Sequence, residues 1–115
     1  MEGQSKAVKS ATERNAARLM RKAAKVMQDK EWIRRVQLGD NGEMCILGAL
    51  NYTYCGNAKP LRHNPLVIVA NNTFTNWYGE SIPMFNDKVA KDKQEIIDTM
   101  LKFANEYDPQ GDANG

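Results

Sequence analysis

The strongest constraint on the fold is a run of 21 residues, from Ser10 to Lys30, that contains neither glycine nor proline. Alanine, methionine, leucine, lysine and arginine dominate this run, and all of them are strong helix formers. Ser10 or Thr12 offers a hydroxyl cap, and Glu13 makes the first turn acidic. The run therefore predicts a helix of about twenty residues. Apolar spacings of three and four predict its buried face, which consists of Ala16, Leu19, Met20, Ala23, Val26 and Met27.

Basic residues on the same predicted helix recur at the spacing of a second face. Arg14, Arg18, Arg21 and Lys25 lie four, three and four residues apart, and Lys22 is beside them. This spacing predicts a stripe on the exposed side of the helix. Such a stripe binds phosphates by releasing their counterions, but cations at this spacing also keep a long exposed helix soluble. Both interpretations stay open at this point.

The charge of the chain is nearly balanced, with 16 Lys and Arg against 14 Asp and Glu, but it is unevenly distributed. Residues 1–63 contain 12 basic and 6 acidic side chains, a net +6, whereas residues 64–115 contain 4 and 8, a net −4. Trp32, Arg34 and Arg35 follow the basic helix and would add base stacking to it. The predicted surface for an acidic partner therefore consists of Arg14, Arg18, Arg21, Lys25, Trp32, Arg34 and Arg35.

The rest of the chain divides into three helical segments and one ambiguous segment. Residues 43–54 are rich in apolar side chains and predict a short buried helix. Asn64 and Pro65 form a cap and a first residue for a helix over 66–78, although β-branched residues there also favour a strand. Partial alternation and a glycine-rich turn between residues 32 and 44 predict a short strand, a hairpin or an ordered loop.

The last predicted helix covers residues 89–107, with Asn86 or Asp87 accepting hydrogen bonds from backbone donors before it. Since 115 residues suffice for one compact core, we predict a mainly all-α, single small domain of about four helices over residues 10–107. Its expected core includes Leu47, Leu50, Val69, Phe74, Ile97 and Leu101. Residues 1–9 and 108–115 are poor in apolar side chains, so we expect a flexible N-terminus and a flexible tail.

Few residues of this chain suit metal or cofactor chemistry. Two cysteines ten residues apart and one histidine do not make a zinc site. The glycines within 39–42 lack the lysine and the spacing of a phosphate-binding loop. The cysteines are also too few for a secreted disulfide framework, and no apolar stretch reaches the roughly 20 residues of a membrane span. We therefore expect a cytoplasmic chain with no metal, no cofactor and no membrane contact.

One enzymatic interpretation is kept in reserve. Cys45 near a helix N-terminus would be a nucleophile of lowered pKa, with His63 as its base and Asp87 or Asn86 as the group that orients the base. The favoured interpretation is that Cys45 is a small buried side chain among apolar neighbours, and that His63 is an ordinary loop residue. On this view the chain has no catalytic residue.

Three short segments resemble those of a known family. Trp32 comes first, then Cys45-Ile46-Leu47-Gly48-Ala49-Leu50, and then Phe85-Asn86-Asp87 before an amphipathic helix. The order is similar to that of a small uncharacterised family from bacteria and phages, in which a Trp, a Cys-x-x-Gly-Ala-Leu segment and a Trp-Asn-Asp segment recur. Phe85 stands where that family has its second Trp. The resemblance covers roughly residues 15–105, and it implies a small helical domain of bacterial or phage origin.

These observations favour binding over catalysis. We expect a small non-enzymatic protein, directed at a host protein or a nucleic acid through its basic helix face. The first alternative is a small cysteine-dependent hydrolase or transferase that uses Cys45. The second is a self-assembling structural protein, a homo-oligomer that would form at rising concentration.

Overall fold

The computed structural model describes residues 10–34, 42–55 and 64–109, and this part of the chain folds into helices around one core. The four long helices are α1 (Ala11–Asp29), α2 (Ile46–Cys55), α3 (Pro65–Tyr78) and α5 (Lys93–Tyr107). A three-residue helix, α4 (Ile82–Met84), and a π-helix, Phe85–Val89, connect α3 to α5. The prediction of a mainly all-α single small domain is therefore confirmed.

The first helix begins with a stronger cap than the sequence analysis expected. The Ser10 hydroxyl accepts a hydrogen bond from the Glu13 backbone N–H at 3.0 Å, and the Glu13 carboxylate accepts one from the Ser10 backbone N–H at 2.9 Å. Because this reciprocal pair satisfies two donors that the helix itself leaves unbonded, it fixes the start of α1 at Ala11. The structure therefore decides between the Ser10 and Thr12 caps in favour of Ser10.

Three helices pack around α1, since α5, α2 and α3 all contact it. Burial consequently extends to Ala17 and Ala24, which the apolar spacing did not include, while Val26 is only partly buried. At about 100° per residue, the buried residues cover an arc of roughly 200° around α1. This wide arc makes α1 the central helix of the domain and leaves less of its surface to solvent than an ordinary amphipathic helix has.

Helix α2 begins at Ile46, three residues later than predicted, because Met44 is held in an extended conformation. Met44 forms an isolated parallel bridge with Trp32. Its N–H donates to the Glu31 carbonyl at 2.9 Å, and its carbonyl accepts from the Ile33 N–H at 3.1 Å. Within the described residues, this bridge stands in place of the predicted short strand or hairpin. Residues 35–41, which include three of the four residues of the predicted turn at 39–42, lie outside the described residues.

Helix α3 matches the helical prediction rather than the strand alternative. The Asn64 side chain accepts a hydrogen bond from the Leu66 N–H at 2.8 Å, and Pro65 is the first helical residue. Gly79 ends the helix in the left-handed region with φ of 74°, where a side chain would be strained. Cap, proline and glycine together thus define both ends of α3.

Helix α5 begins at Lys93, four residues later than predicted. Asp92 is its cap, accepting from the Glu95 N–H at 2.9 Å. The prediction that Asn86 or Asp87 caps this helix is wrong, because both lie in the π-helix and the Asn86 side chain is fully buried. A π-helix widens the turn by one residue per hydrogen bond, which changes the direction of its side chains relative to an α-helix.

The core was predicted in part. Leu50, Phe74 and Ile97 are buried as expected, whereas Leu47, Val69 and Leu101 are partly buried at its edge. An aromatic cluster forms its centre, with the Phe85 ring 5.4 Å from Phe74 and 4.6 Å from Tyr78 between centroids. Edge-on and offset contacts of this kind add to the stabilisation that comes from buried area alone.

Candidate functional site

The buried side chain of Asn86 connects all three segments that carry the family resemblance. Its Oδ1 accepts hydrogen bonds from the Trp32 indole N–H at 2.9 Å and from the Ile46 backbone N–H at 3.2 Å. Its Nδ2 donates to the Ile33 carbonyl at 3.1 Å and to Asp87 Oδ1 at 2.9 Å. These four bonds use the full capacity of a carboxamide. Segments that lie about 40 and 54 residues from Asn86 are therefore held together at one buried point.

Cys45 precedes Ile46 in the chain and lies at the N-terminus of α2. It is 6% exposed, and its Sγ accepts a hydrogen bond from the Gly48 N–H at 3.3 Å. Burial raises the pKa of the Cys45 thiol above its ordinary value of 9.0, and the nearby charge of Asp87 raises it further. The hydrogen bond from Gly48 acts in the opposite direction but is outweighed. The interpretation of Cys45 as a small buried side chain is confirmed.

The structure does not assemble the reserve catalytic group within its described residues. The charge of Asp87 acts on Cys45, but a buried thiol of raised pKa lacks the exposure and the lowered pKa of a reactive cysteine. Asp87 is bonded to the Asn86 side chain. His63, the proposed base, lies outside the described residues.

Trp32 and Arg34 form a fixed pair beside this network. The Arg34 guanidinium lies over the indole ring, 4.3 Å from its centroid, and donates to the Ala90 carbonyl at 3.0 Å. Trp32 is thus held at its N–H edge by Asn86 and covered on one ring face by Arg34. This pair leaves less of the ring open for base stacking than an unpaired aromatic residue offers. Arg35 lies outside the described residues.

Four cations remain exposed on α1. They are Arg14, Arg18, Lys22 and Lys25. At about 100° and 1.5 Å per residue, they fall within an arc of roughly 80° and extend over about 16 Å of the helix. We call these four residues the basic face. It lies opposite the arc that packs against the core, so the predicted position of the stripe is right for Arg14, Arg18 and Lys25.

Arg21 is the exception, and its predicted exposure is wrong. Only 4% of it is accessible, because the end of α5 covers it. Its guanidinium donates to Asn105 Oδ1 and to the Asp108 carbonyl, both at 2.9 Å. A cation is favourable there, since unbonded carbonyls give a helix C-terminus a partial negative charge. Arg21 therefore holds α5 to α1 and is not available to a partner.

The Asp108 carboxylate, just after the end of α5, lies close to both Arg18 and Arg21. Its Oδ2 lies 3.0 Å from Arg18 Nε and 3.9 Å from Arg21 Nη1. The carboxylate side chain is only 9% exposed, whereas that of Arg18 is 56% exposed. We predicted that a solvated tail begins at residue 108, but Asp108 itself is buried. Residues 110–115 lie outside the described residues.

A groove that was not predicted from the sequence lies between α2, α3 and the start of α4. It measures about 270 Å³ and combines apolar side chains with two carboxamides and a hydroxyl. Leu47 lines it, which explains why that residue is only partly buried. No spacing in the sequence signals this groove, because its walls come from separate segments. The remaining lining residues are Val67, Ile68, Asn71, Asn72, Ser81 and Pro83.

Metal clusters and membrane-spanning helices are both absent from the described part of the chain. No cluster of three or more His, Cys, Asp or Glu side chains is arranged to hold a metal ion in residues 10–34, 42–55 and 64–109. None of the helices formed by those residues has the length and apolarity that a bilayer crossing demands.

Comparison with known proteins gives one match. The model of a family described as "Family of unknown function (DUF6197)" matches residues 11–106, which is most of the chain and close to the range expected from the resemblance. No curated protein and no solved structure matches.

Proposed function

Because the chain belongs to this family of unknown function, we propose its role from its own residues: it is a non-enzymatic protein that binds nucleic acid through the basic face of α1. Arg14, Arg18, Lys22 and Lys25 would contact backbone phosphates. This face differs from the predicted surface in three ways. Arg21 is buried, and Trp32 and Arg34 are held in their pair by bonds to Asn86 and Ala90. Arg35 lies outside the described residues, and Lys22 joins the face.

The observation that supports this proposal is the alignment of four exposed cations on one rigid helix. Each strand of duplex DNA has one phosphate per about 3.4 Å of the duplex axis, so a face about 16 Å long that lies along this axis spans roughly five of them. Four contacts of this kind predict that the logarithm of the binding constant falls with the logarithm of salt concentration with a slope near −3.6. Contacts to phosphates alone carry no sequence preference.

An acidic surface of a host protein is the second candidate partner. A regular row of cations with no acidic residue between Arg14 and Lys25 suits a polymer of evenly spaced charges better than it suits a folded surface of mixed polarity. Nucleic acid is therefore the proposal, and an acidic protein is an outcome of its test. The phage origin implied by the resemblance stays a prediction.

The enzymatic alternative receives less support from the site. The residue it depends on, Cys45, is buried, and burial raises its pKa. The self-assembly alternative predicts a sedimentation coefficient that rises with protein concentration, which sedimentation velocity would measure.

The test is a charge reversal on the basic face with a matched reversal elsewhere. We expect Lys22→Glu/Lys25→Glu to abolish binding to a fluorescein-labelled DNA duplex in an anisotropy titration. The control, Lys88→Glu/Lys91→Glu, changes the net charge by the same amount at two exposed lysines outside α1. We expect it to keep most of the affinity, and the wild-type protein to show the salt slope given above.

Two results would overturn the proposal. Equal losses in both double variants would show that only net charge matters. The second result has two parts. The wild-type protein would bind neither duplex nor single-stranded DNA, and it would bind polyglutamate in a way that Lys22→Glu/Lys25→Glu abolishes. This result would assign the basic face to acidic proteins instead.

A further inference from the structure

We infer that Asp108 competes with the ligand phosphate for Arg18. The Asp108 carboxylate binds Arg18 in the free protein, and Arg18 exchanges it for a phosphate when a ligand binds the basic face. This inference rests on the proposed function and adds to it a regulatory contact within the same site.

The geometry at Arg18 carries the inference. Asp108 Oδ2 accepts from Arg18 Nε at 3.0 Å, which is the distance of a charge-assisted hydrogen bond. The Nε edge of a guanidinium is one of the two edges that bind a phosphate or carboxylate with paired donors. While Asp108 is bound to the Nε edge, Arg18 can donate hydrogen bonds to a phosphate only from its other edge.

The two partners differ in how freely they can move. More than half of the Arg18 side chain is exposed, whereas the Asp108 side chain is enclosed and its backbone carbonyl is bound by the buried Arg21. Arg18 is therefore the partner that can swing toward a ligand while Asp108 stays in place. After that exchange, the Asp108 carboxylate keeps its ion pair with Arg21 Nη1 at 3.9 Å.

The exchange has a reciprocal consequence. If Asp108 lowers the affinity of the basic face for phosphate, then bound phosphate must weaken the Arg18–Asp108 contact by the same factor. Binding at α1 would therefore release Arg18 from Asp108, while the bonds from Arg21 keep Asp108 against α1.

The test compares Asp108→Asn with three controls. The amide keeps the shape of the carboxylate but removes its charge. We expect affinity for the labelled duplex to rise about two- to fivefold at low salt, and the salt slope to stay near −3.6, because the same four cations contact phosphates in both complexes. Asp98→Asn removes the same charge from an exposed position on α5 and should change the affinity less. Asp108→Glu keeps the charge and should bring no comparable gain.

The third control is Arg18→Gln, alone and combined with Asp108→Asn. If Asp108 acts by competing for Arg18, adding Asp108→Asn to Arg18→Gln gives no further gain. A gain of the same size in that background, or equal gains from Asp98→Asn and Asp108→Asn, would refute competition and leave a general charge effect. Circular dichroism of each variant checks that it stays folded.

The two proposals fail in distinguishable ways. If neither the wild-type protein nor Asp108→Asn binds duplex or single-stranded DNA, the proposed function is refuted and the competitor role with it. If the wild-type protein binds and Asp108→Asn binds with unchanged affinity, the proposed function stands and the competitor role alone is refuted.

Discussion

Replacing Asn86 by alanine tests whether the buried network holds the domain together. The change removes one side chain and takes a hydrogen-bond partner from four groups, which are the Trp32 indole N–H, the Ile46 N–H, the Ile33 carbonyl and the Asp87 carboxylate. Each buried polar group that loses its partner costs about 1 kcal/mol or more, so we expect a loss of about 3–5 kcal/mol in the free energy of unfolding. That is a large part of the roughly 5–15 kcal/mol that stabilises a domain of this kind.

Urea unfolding followed by circular dichroism measures this loss. Asn72→Ala is the matched control, because Asn72 is exposed on α3, and we expect its free energy of unfolding to stay within about 0.5 kcal/mol of wild type. A double-mutant cycle with Trp32→Phe, which deletes the indole N–H, should give a coupling energy of about 1 kcal/mol or more between the two residues. A loss below about 1 kcal/mol for Asn86→Ala would show that water or a rearranged backbone replaces these bonds, and that the network is not a support of the fold.

Four further predictions concern single residues. Arg21→Met should lower the free energy of unfolding by about 3 kcal/mol and Arg18→Met by less than about 1 kcal/mol, because only Arg21 is buried with its partners. Urea unfolding measures both losses, and equal losses would contradict the assigned burial. Cys45 should react with iodoacetamide at least about tenfold more slowly in the folded protein than in urea, measured by mass spectrometry in a Cys55→Ser background; rapid reaction of the folded protein would revive the nucleophile hypothesis. Burial raises the pKa of the Cys45 thiol in the folded protein above the ordinary value of 9.0. We therefore expect this group to leave the free energy of unfolding unchanged below pH 9.0 and to lower it as the pH rises above 9.0. Gly79→Ala should cost about 1 kcal/mol because φ is 74°, and an unchanged melting midpoint would show that α3 does not depend on this turn.

Much of the helical architecture could be predicted because its signals are local. Capping by Ser10, the proline after Asn64 and the glycine at position 79 each act within one turn of the helix end that they define. Apolar spacing likewise located most of the buried side of α1. It underestimated that side because three helices surround α1, and packing on several sides is a tertiary property that spacing along one helix does not encode.

The candidate site was predicted less well, for a related reason. The resemblance singled out the segments of Trp32, Cys45 and Asn86. The structure joins these segments through the bonds of Asn86 to Trp32 and Ile46, but the bonds connect residues far apart in the sequence. The π-helix that turns Asn86 inward has no sequence signature, so the residue looked like a helix cap. Arg21 looked exposed because nothing near it in the sequence shows that Asn105 and Asp108 cover it.

Helix α1 packs against the end of α5, which is synthesised much later than α1. The bonding partners of Arg21 lie 84 and 87 residues further along the chain. At a translation rate of about 5–20 residues per second, roughly 4–17 s pass between the synthesis of Arg21 and that of Asp108. During this interval the wide apolar side of the central helix has no complete surface to pack against. We therefore expect folding to be completed only after synthesis has reached Asp108, with the nascent helix in need of protection until then.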